Sequence, residues 1–349
     1  MLRNLKNAGR VALFVAASLL LASCVSVTDI VPVEAVSNAE FKQVNARLGA
    51  KTAAAPGCLK AYEKTKEGGV LAWSCSYALN DLADRYELNG DREAASAFVA
   101  IADEVVANYN TTVTDVFRGR IVGGWISTRY TGGQPNVSAV HSAMIGAPLA
   151  RFAMLVSQRN DATLADAARR YLQTSVAAYR EMEPDWADGA YRITGNGFAR
   201  HAGSPLPVNM MAAMGQWAHY LDRAGASGGA YAARIERIYK FIDSRIQARF
   251  RDGKQILIWR YDDFSGKEDV SHAILTMSFL TIAYERKLMP RDRFEFLLAS
   301  FLHAGVGTGA DTAHDVSGKG KGIDFAQTCA RALPIYRYSA ATFRRCEAL

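Results

Sequence analysis

The chain reads as all-α, a ring or arc of helical hairpins, and three observations predict it. Apolar helix-like stretches begin near Leu71, Ser138, Pro205 and Val270, at steps of 67, 67 and 65 residues. A fixed spacing of that size signals one supersecondary unit used repeatedly. Each start opens a segment apolar around most of its circumference, followed by a short turn and a one-sided amphipathic segment. Long connections then return to the next apolar segment, which gathers the long loops on one face.

In chain order, Arg3, Lys6 and Arg10 precede an apolar run from Val11 to Ala22, and Leu21-Ala22-Ser23-Cys24 follows. Charge, length and small residues make this a secretory signal, and the run is too short to cross a membrane. It resembles a bacterial lipoprotein lipobox, which implies lipidation of Cys24 and anchoring through that lipid. Val25 and Ser26 after the cysteine imply the outer membrane. Residues 24–40 read as a tether and 41–349 as the functional domain.

Val137–Val156, Leu206–Leu221 and Val270–Leu288 are apolar on nearly all sides, so they are expected in an inner layer. Ala94, Phe98, Ile101, Val105 and Tyr109 form a one-sided stripe, as do Leu164, Ala168, Tyr171, Ser175 and Tyr179. A third stripe runs from Tyr231 through Ile235, Ile238, Ile242 and Ile246 to Phe250. These are expected as outer helices with one wet face. The turns from inner to outer helix are short, such as Asn89-Gly90-Asp91. The returns over 111–136, 183–204, 251–269 and 305–322 exceed the usual loop length, and such loops commonly carry function. Gln255–Tyr261 alternates enough for a short strand inside one of them.

Removing residues 1–23 lowers the formal charge from +7 to +4, too little for a nucleic-acid partner and compatible with an acidic polymer. Cys58, Cys75, Cys329 and Cys346 remain for an exported compartment. Cys58–Cys75 with Cys329–Cys346 is favoured because both close equal local loops. A zinc site lacks CxxC or HxxxH spacing, and free buried thiols are the bland alternative. Gly305–Gly322 lacks the spacing of a phosphate-binding loop. No cofactor or metal motif is read.

The long-loop face carries aromatics beside polar groups: Trp73 and Tyr77, then Trp125, Tyr130 and His141. Trp186, Tyr191, Arg200, His201 and Asn209 follow, then Trp259, Tyr261, Glu268, Asp269 and His272. Rings beside hydrogen-bonding groups suit a sugar, whose C–H faces stack while its hydroxyls take directed bonds. Trp217, inside an inner helix, reads as core; His219 and His303 read as structural.

Leu71-Ala-Trp-Ser-Cys-Ser-Tyr77, Val140-His-Ser-Ala-Met-Ile-Gly-Ala-Pro-Leu-Ala-Arg-Phe152, Trp259-Arg-Tyr261 and Glu268-Asp-Val-Ser-His-Ala273 carry a family resemblance. Over roughly residues 60–340 the chain resembles the six-hairpin (α/α) toroid proteins, which include polysaccharide lyases, glycoside hydrolases and uronyl epimerases. Four hairpins are clear and a fifth is a candidate near Ile323–Ile335, so a toroid or an incomplete toroid is expected. The leading expectation is β-elimination on an acidic polysaccharide. There His141 or His201 works with Asn209 or Arg200 at the carboxylate, and Tyr261 or His272 transfers the proton. The alternative is a glycoside hydrolase pairing Glu268 or Asp269 with Asp185 or Asp188, at separations of roughly 5–9.5 Å. A third possibility is a non-catalytic glycan-binding or scaffold lipoprotein of the envelope. Each residue has a plainer reading: Asp269 as a helix cap, His141 and His272 as core histidines, and Trp186, Tyr130 and Tyr191 as loop anchors.

Overall fold

The computed structural model of the chain describes residues 34–52, 55–129, 131–194, 201–226, 229–251, 253–264, 266–307, 309 and 311–348. Among the described residues, six inner helices form the wall of a barrel. They are α1 (Asn38–Thr52), α3 (Gly68–Val70, a π-helical turn over Leu71–Cys75, then Ser76–Asn89), α5 (Ala139–Gln158), α7 (Val208–Arg223), α9 (Val270–Glu285) and α11 (Phe325–Tyr336). Each is followed by an outer helix: α2 (Ala55–Thr65), α4 (Arg92–Ala107), α6 (Ala165–Met182), α8 (Ala230–Asp243), α10 (Arg291–Ser300) and α12 (Ala340–Glu347). Inner helices pack each on the next, and α11 packs back on α1, so the ring closes.

Closure is the first departure from the sequence reading. The hairpin α1–α2 begins at Asn38, inside the segment read as tether, and α11–α12 completes the ring as the sixth. The seam is held by Val36 N–H donating to the Arg337 carbonyl at 2.8 Å, by Phe41 against Phe343, and by Arg337 over the Phe41 ring. The first hairpin was missed because α1 is only weakly apolar and lies outside the 67-residue repeat.

Local chemistry sets the helix ends. Gly90 closes α3 with a left-handed φ of 66°, and Asp91 caps α4 by accepting from Ala94 N–H at 2.9 Å. Asp324 does the same for α11, accepting from Ala326 N–H at 2.7 Å. Helix α8 stops at Asp243, short of the stripe's end, because Ile246–Arg251 (β7) pairs antiparallel with Lys254–Trp259 (β8). The expected strand at Gln255–Tyr261 is thus present, and pairing with it removes Ile246 and Phe250 from the helix. Short ladders occupy the other returns: β1 (Thr114–Asp115) with β2 (Arg120–Ile121), β3 (Ile126–Ser127) with β4 (Asn136–Val137), β5 (Trp186–Ala187) with β6 (Ala190–Tyr191), and β9 (Asp311–Ala313) with β10 (Lys321–Asp324).

Inner helices meet at small residues. A β-carbon on Gly146 of α5 would collide with the Trp217 indole of α7, and one on Gly215 of α7 would collide with the Phe279 ring of α9. Trp217 is fully buried, and its indole N–H donates to Ser175 Oγ at 2.7 Å, which in turn donates to the Gly146 carbonyl at 2.8 Å. Burying roughly 200 Å² of indole at about 25 cal/mol per Å² stabilises this junction by on the order of 5 kcal/mol. The core reading of Trp217 therefore stands. The disulfides are Cys58–Cys75, joining α2 to α3, and Cys329–Cys346, joining α11 to α12, each across 17 residues as favoured.

Candidate active site

The repeat step reappears in three dimensions as contacts between equivalent positions. Arg151 binds Asp84 across 67 residues, Arg170 binds Asp103 across 67, and Trp73 donates its indole N–H to His141 Nε2 across 68, at 3.2 Å. Stepping on by that interval from Trp73 and His141 reaches Asn209 and Thr276, one residue on each of α3, α5, α7 and α9. These four form a level of the barrel near the N-terminal ends of its inner helices, where the long loops converge.

Glu67, just before α3, positions the top of this level. Its carboxylate accepts from Ser127 Oγ at 2.9 Å and from the Thr128 N–H and hydroxyl, tying the β3 loop to the helix start. Gly69 lets the His141 ring approach closely, since a β-carbon there would stand 3.1 Å from Cε1. The indole N–H is a donor only, so His141 accepts through Nε2 in a neutral ring. Burial pushes its pKa down to about 4, and Glu67 opposes that only in part. Asn209 is fully buried, and among the described residues neither of its amide atoms has a hydrogen-bond partner.

The loop before α9 supplies the charged part. Asp269 caps α9, accepting from His272 N–H at 3.0 Å and from Ser271 Oγ, and its second oxygen contacts His272 Nδ1. Burial works against ionisation, but these bonds and the His272 charge hold the Asp269 carboxyl below the usual range. In return Asp269 raises the His272 pKa despite burial. The capping role expected for Asp269 is real, and it orients an imidazole as well. The pair remains accessible, with side chains 31% exposed for His272 and 26% for Asp269. The His272 ring lies 5.3 Å from Trp73 and 5.7 Å from Tyr261, centroid to centroid. Val208 N–H donates to the Tyr261 carbonyl at 2.8 Å, seating the start of α7 against that loop.

Glu268 differs sharply from its neighbour. It is fully buried; one oxygen accepts from Trp259 Nε1 and from Thr276 Oγ1, the latter at 2.8 Å. Its other oxygen has no hydrogen-bond partner among the described residues. Burial pushes its pKa up to about 7, against the pull of those two donors. Two consecutive carboxyls thus sit on opposite sides of the usual carboxylate range.

Several expected sugar platforms are packed inside. Trp125 is buried, donating its indole N–H to the Val105 carbonyl at 2.8 Å, and Trp259 is buried against Glu268. Tyr191 is buried too, its hydroxyl donating to that of Tyr179 at 2.6 Å and accepting from Arg234. The exposed part of Trp186 is covered by the Arg234 guanidinium, 3.9 Å from the ring centre. A loop indole is hydrophobic enough to bury wherever its N–H finds a carbonyl, so sequence position alone misassigns it. Trp73, Tyr77 and Tyr261 stay partly exposed. His201 stacks on Phe264 at 3.9 Å. Asp185 is paired with Arg118, whose guanidinium also binds Asp115, and Asp188 pairs with Arg192 at the surface. Cys24, Tyr130 and Arg200 lie outside the described residues. His219 is structural as expected, contacting Arg286 at 3.2 Å.

Two residues escaped the sequence reading, one at this site and one beneath it. Glu67 precedes a helix whose first turn has no apolar period, and Arg331 lies on the faintest inner helix, α11. Arg331 covers the Tyr77 ring at 4.5 Å.

No protein-family model matches this chain, and no curated protein matches it either. Among solved structures, the fold is similar to that of a family 76 glycoside hydrolase from a bovine Bacteroides thetaiotaomicron strain, with a TM-score of 0.51 and 10% identity. The match covers 77% of this chain and 55% of that one, so the chain spans little more than half of its neighbour's length. The likeness is one of fold: this is an all-α protein of the (α/α) toroid type.

Proposed function

We propose that the chain is a carbohydrate-active enzyme that hydrolyses glycosidic bonds at the loop end of its barrel. The reading rests on one observation: two adjacent carboxyls sit in opposite environments. Glu268 is buried with only Trp259 and Thr276 as donors, which pushes its pKa up to about 7. Asp269 is accessible and bonded to Ser271 and His272, which holds its pKa down. Glycoside hydrolysis needs a carboxylic acid for the leaving oxygen and a carboxylate on the water or sugar side, with environments that push the two apart. Glu268 would supply the proton from its unbonded oxygen, which is buried here and would have to be uncovered by a shift of the loop before α9 when sugar binds. Asp269, through the imidazole it orients, would hold the attacking water. Trp73 and Tyr261 would stack the sugar rings. The (α/α) toroid glycoside hydrolase among solved structures supports this over β-elimination.

One observation favours elimination as a second reading. Asn209 and His141 lie one repeat step apart in the level beneath the loops, with Tyr261 against His272, and these residue types suit carboxylate stabilisation and proton transfer. Incubation with neutral and uronate polysaccharides separates the two. Hydrolysis releases reducing ends without the ultraviolet absorbance of unsaturated sugars, and Glu268→Gln should reduce it at least a hundredfold. Unsaturated products, or full turnover by Glu268→Gln, would transfer the assignment to His141, Tyr261 and His272.

The signal over residues 1–23 and Cys24 place the protein in this reading as an outer-membrane lipoprotein facing the periplasm. The two disulfides support an oxidising compartment. Its partners would then be an envelope or exopolysaccharide glycan and, through the lipid, the membrane.

A further inference from the structure

A further opening lies at the other end of the barrel. A cavity of about 690 Å³ lies among the C-terminal halves of the inner helices, reaching inward to Tyr77, Ile274 and Arg331. Tyr77 is one helical turn beyond Trp73 on α3, and Ile274 is two residues beyond His272 on α9, so the cavity ends just beneath the candidate active site.

Its wall is polar and mostly neutralised. Arg151 is shared by Asp84 and Glu87, and Arg286 pairs with Asp222 at 2.9 Å. Asn80 and Gln216 donate their amide N–H groups to the Ser76 and Leu275 carbonyls, both at 2.9 Å, leaving their amide oxygens as acceptors. Arg331 differs. It is half-buried at the inner end, lies over the Tyr77 ring, and among the described residues has no hydrogen-bond or ion-pair partner. The guanidinium is never deprotonated, and its planar fork matches a carboxylate with two parallel bonds. The wall carries five acidic side chains and five arginines and has no net charge, but no carboxylate is bonded to the Arg331 fork among the described residues, so that fork can take one supplied from outside.

We infer that this cavity is a second binding site, which takes a carboxylated sugar with its carboxylate on Arg331 and its hydroxyls on the surrounding amides and carboxylates. Its volume falls within the range of small-molecule sites, roughly 300–1,000 Å³. The carboxylate half of the inference rests on Arg331, and the sugar half rests on the proposed function.

Calorimetric titration of the full-length protein with D-glucuronate, D-glucose and acetate tests it. Glucuronate should bind at one site, at least tenfold tighter than either glucose or acetate. Arg331→Ala should weaken that binding tenfold or more, with Arg331→Lys intermediate. Ser278→Phe, which fills the cavity wall, should do the same with an unchanged circular dichroism spectrum. Equal binding of glucose or acetate, or wild-type affinity in both Arg331→Ala and Ser278→Phe, overturns the inference. So does loss of glucuronate binding in Glu268→Gln, since the ligand would then sit at the loop end. Glucuronate binding without hydrolysis of any glycan leaves the cavity site standing and removes only the proposed function.

Discussion

The same four helices carry two levels of polar residues and treat them oppositely. Trp73, His141, Asn209 and Thr276 form the upper level; Asp84, Arg151, His219 and Arg286 recur at the same repeat step ten or eleven residues further along. At 1.5 Å per residue the levels are about 15 Å apart. In the lower one each charge is matched: Arg151 by Asp84 and Glu87, Arg286 by Asp222, with His219 held neutral, its pKa pushed down to about 3 by burial and then by Arg286. The upper level leaves polar atoms desolvated, with Asn209 unbonded among the described residues and Glu268 held by an indole and a hydroxyl rather than by a guanidinium. Buried polar groups are normally satisfied, so a level that leaves them unsatisfied is where function is expected to outweigh stability.

The largest test of this contrast is Arg151→Ala. It would strand Asp84 and Glu87 beside the cavity, and a loss of about 3–5 kcal/mol in guanidinium-chloride unfolding is expected. A loss under about 1 kcal/mol would mean the lower level is not held by its charges. Next is the pH dependence of Glu268. Its folded pKa is raised, so its contribution is full below the unfolded value near 4.5 and is lost as pH rises through about 7. Relative to Glu268→Gln, the native protein should therefore lose stability on going from pH 4.5 to 8, by on the order of 3 kcal/mol. Parallel melting curves for the two across that range would show Glu268 to be ionised or solvated.

Asp269→Ala should cost about 1 kcal/mol through the lost cap of α9. It should also lower the His272 pKa, because Asp269 is what raises it. Proton NMR titration of that imidazole reads the shift, and an unmoved midpoint would break the link between the pair. The smallest effect is expected at Asp188→Asn. Its surface pair with Arg192 should contribute within about 0.5 kcal/mol, and turnover should not change. A large fall in turnover would bring Asp188 back as a hydrolytic carboxylate.

Much of the molecule was legible in the chain because the repeat is written in side-chain polarity. The four central hairpins, the cap at Asp269, the core position of Trp217 and the disulfide pairing all follow from local pattern and spacing. The convergence of Trp73, His141, Asp269, His272 and Tyr261 also follows, because equivalent starts in a ring of hairpins must share one end. The aromatics of the loops were legible as residues but not as surfaces. Trp125, Trp259 and Tyr191 each found a buried partner for their polar tip, and no periodicity forecasts which indole will do so.

The sequence by itself determined the helical hairpin, its repetition and the end of the barrel to which the polar residues belong, since periods of 3.6 and about 67 residues are local or arithmetic properties of one chain. Only the tertiary structure decided that the ring closes through α1 and α11, that burial and bonding move the pKa values of two consecutive carboxyls in opposite directions, and that Arg331 lies over Tyr77 at the inner end of a cavity. Those outcomes depend on burial and on neighbours far apart in the chain. Desolvation and ion pairing are set by what surrounds a group in space, and the linear order of residues does not record it.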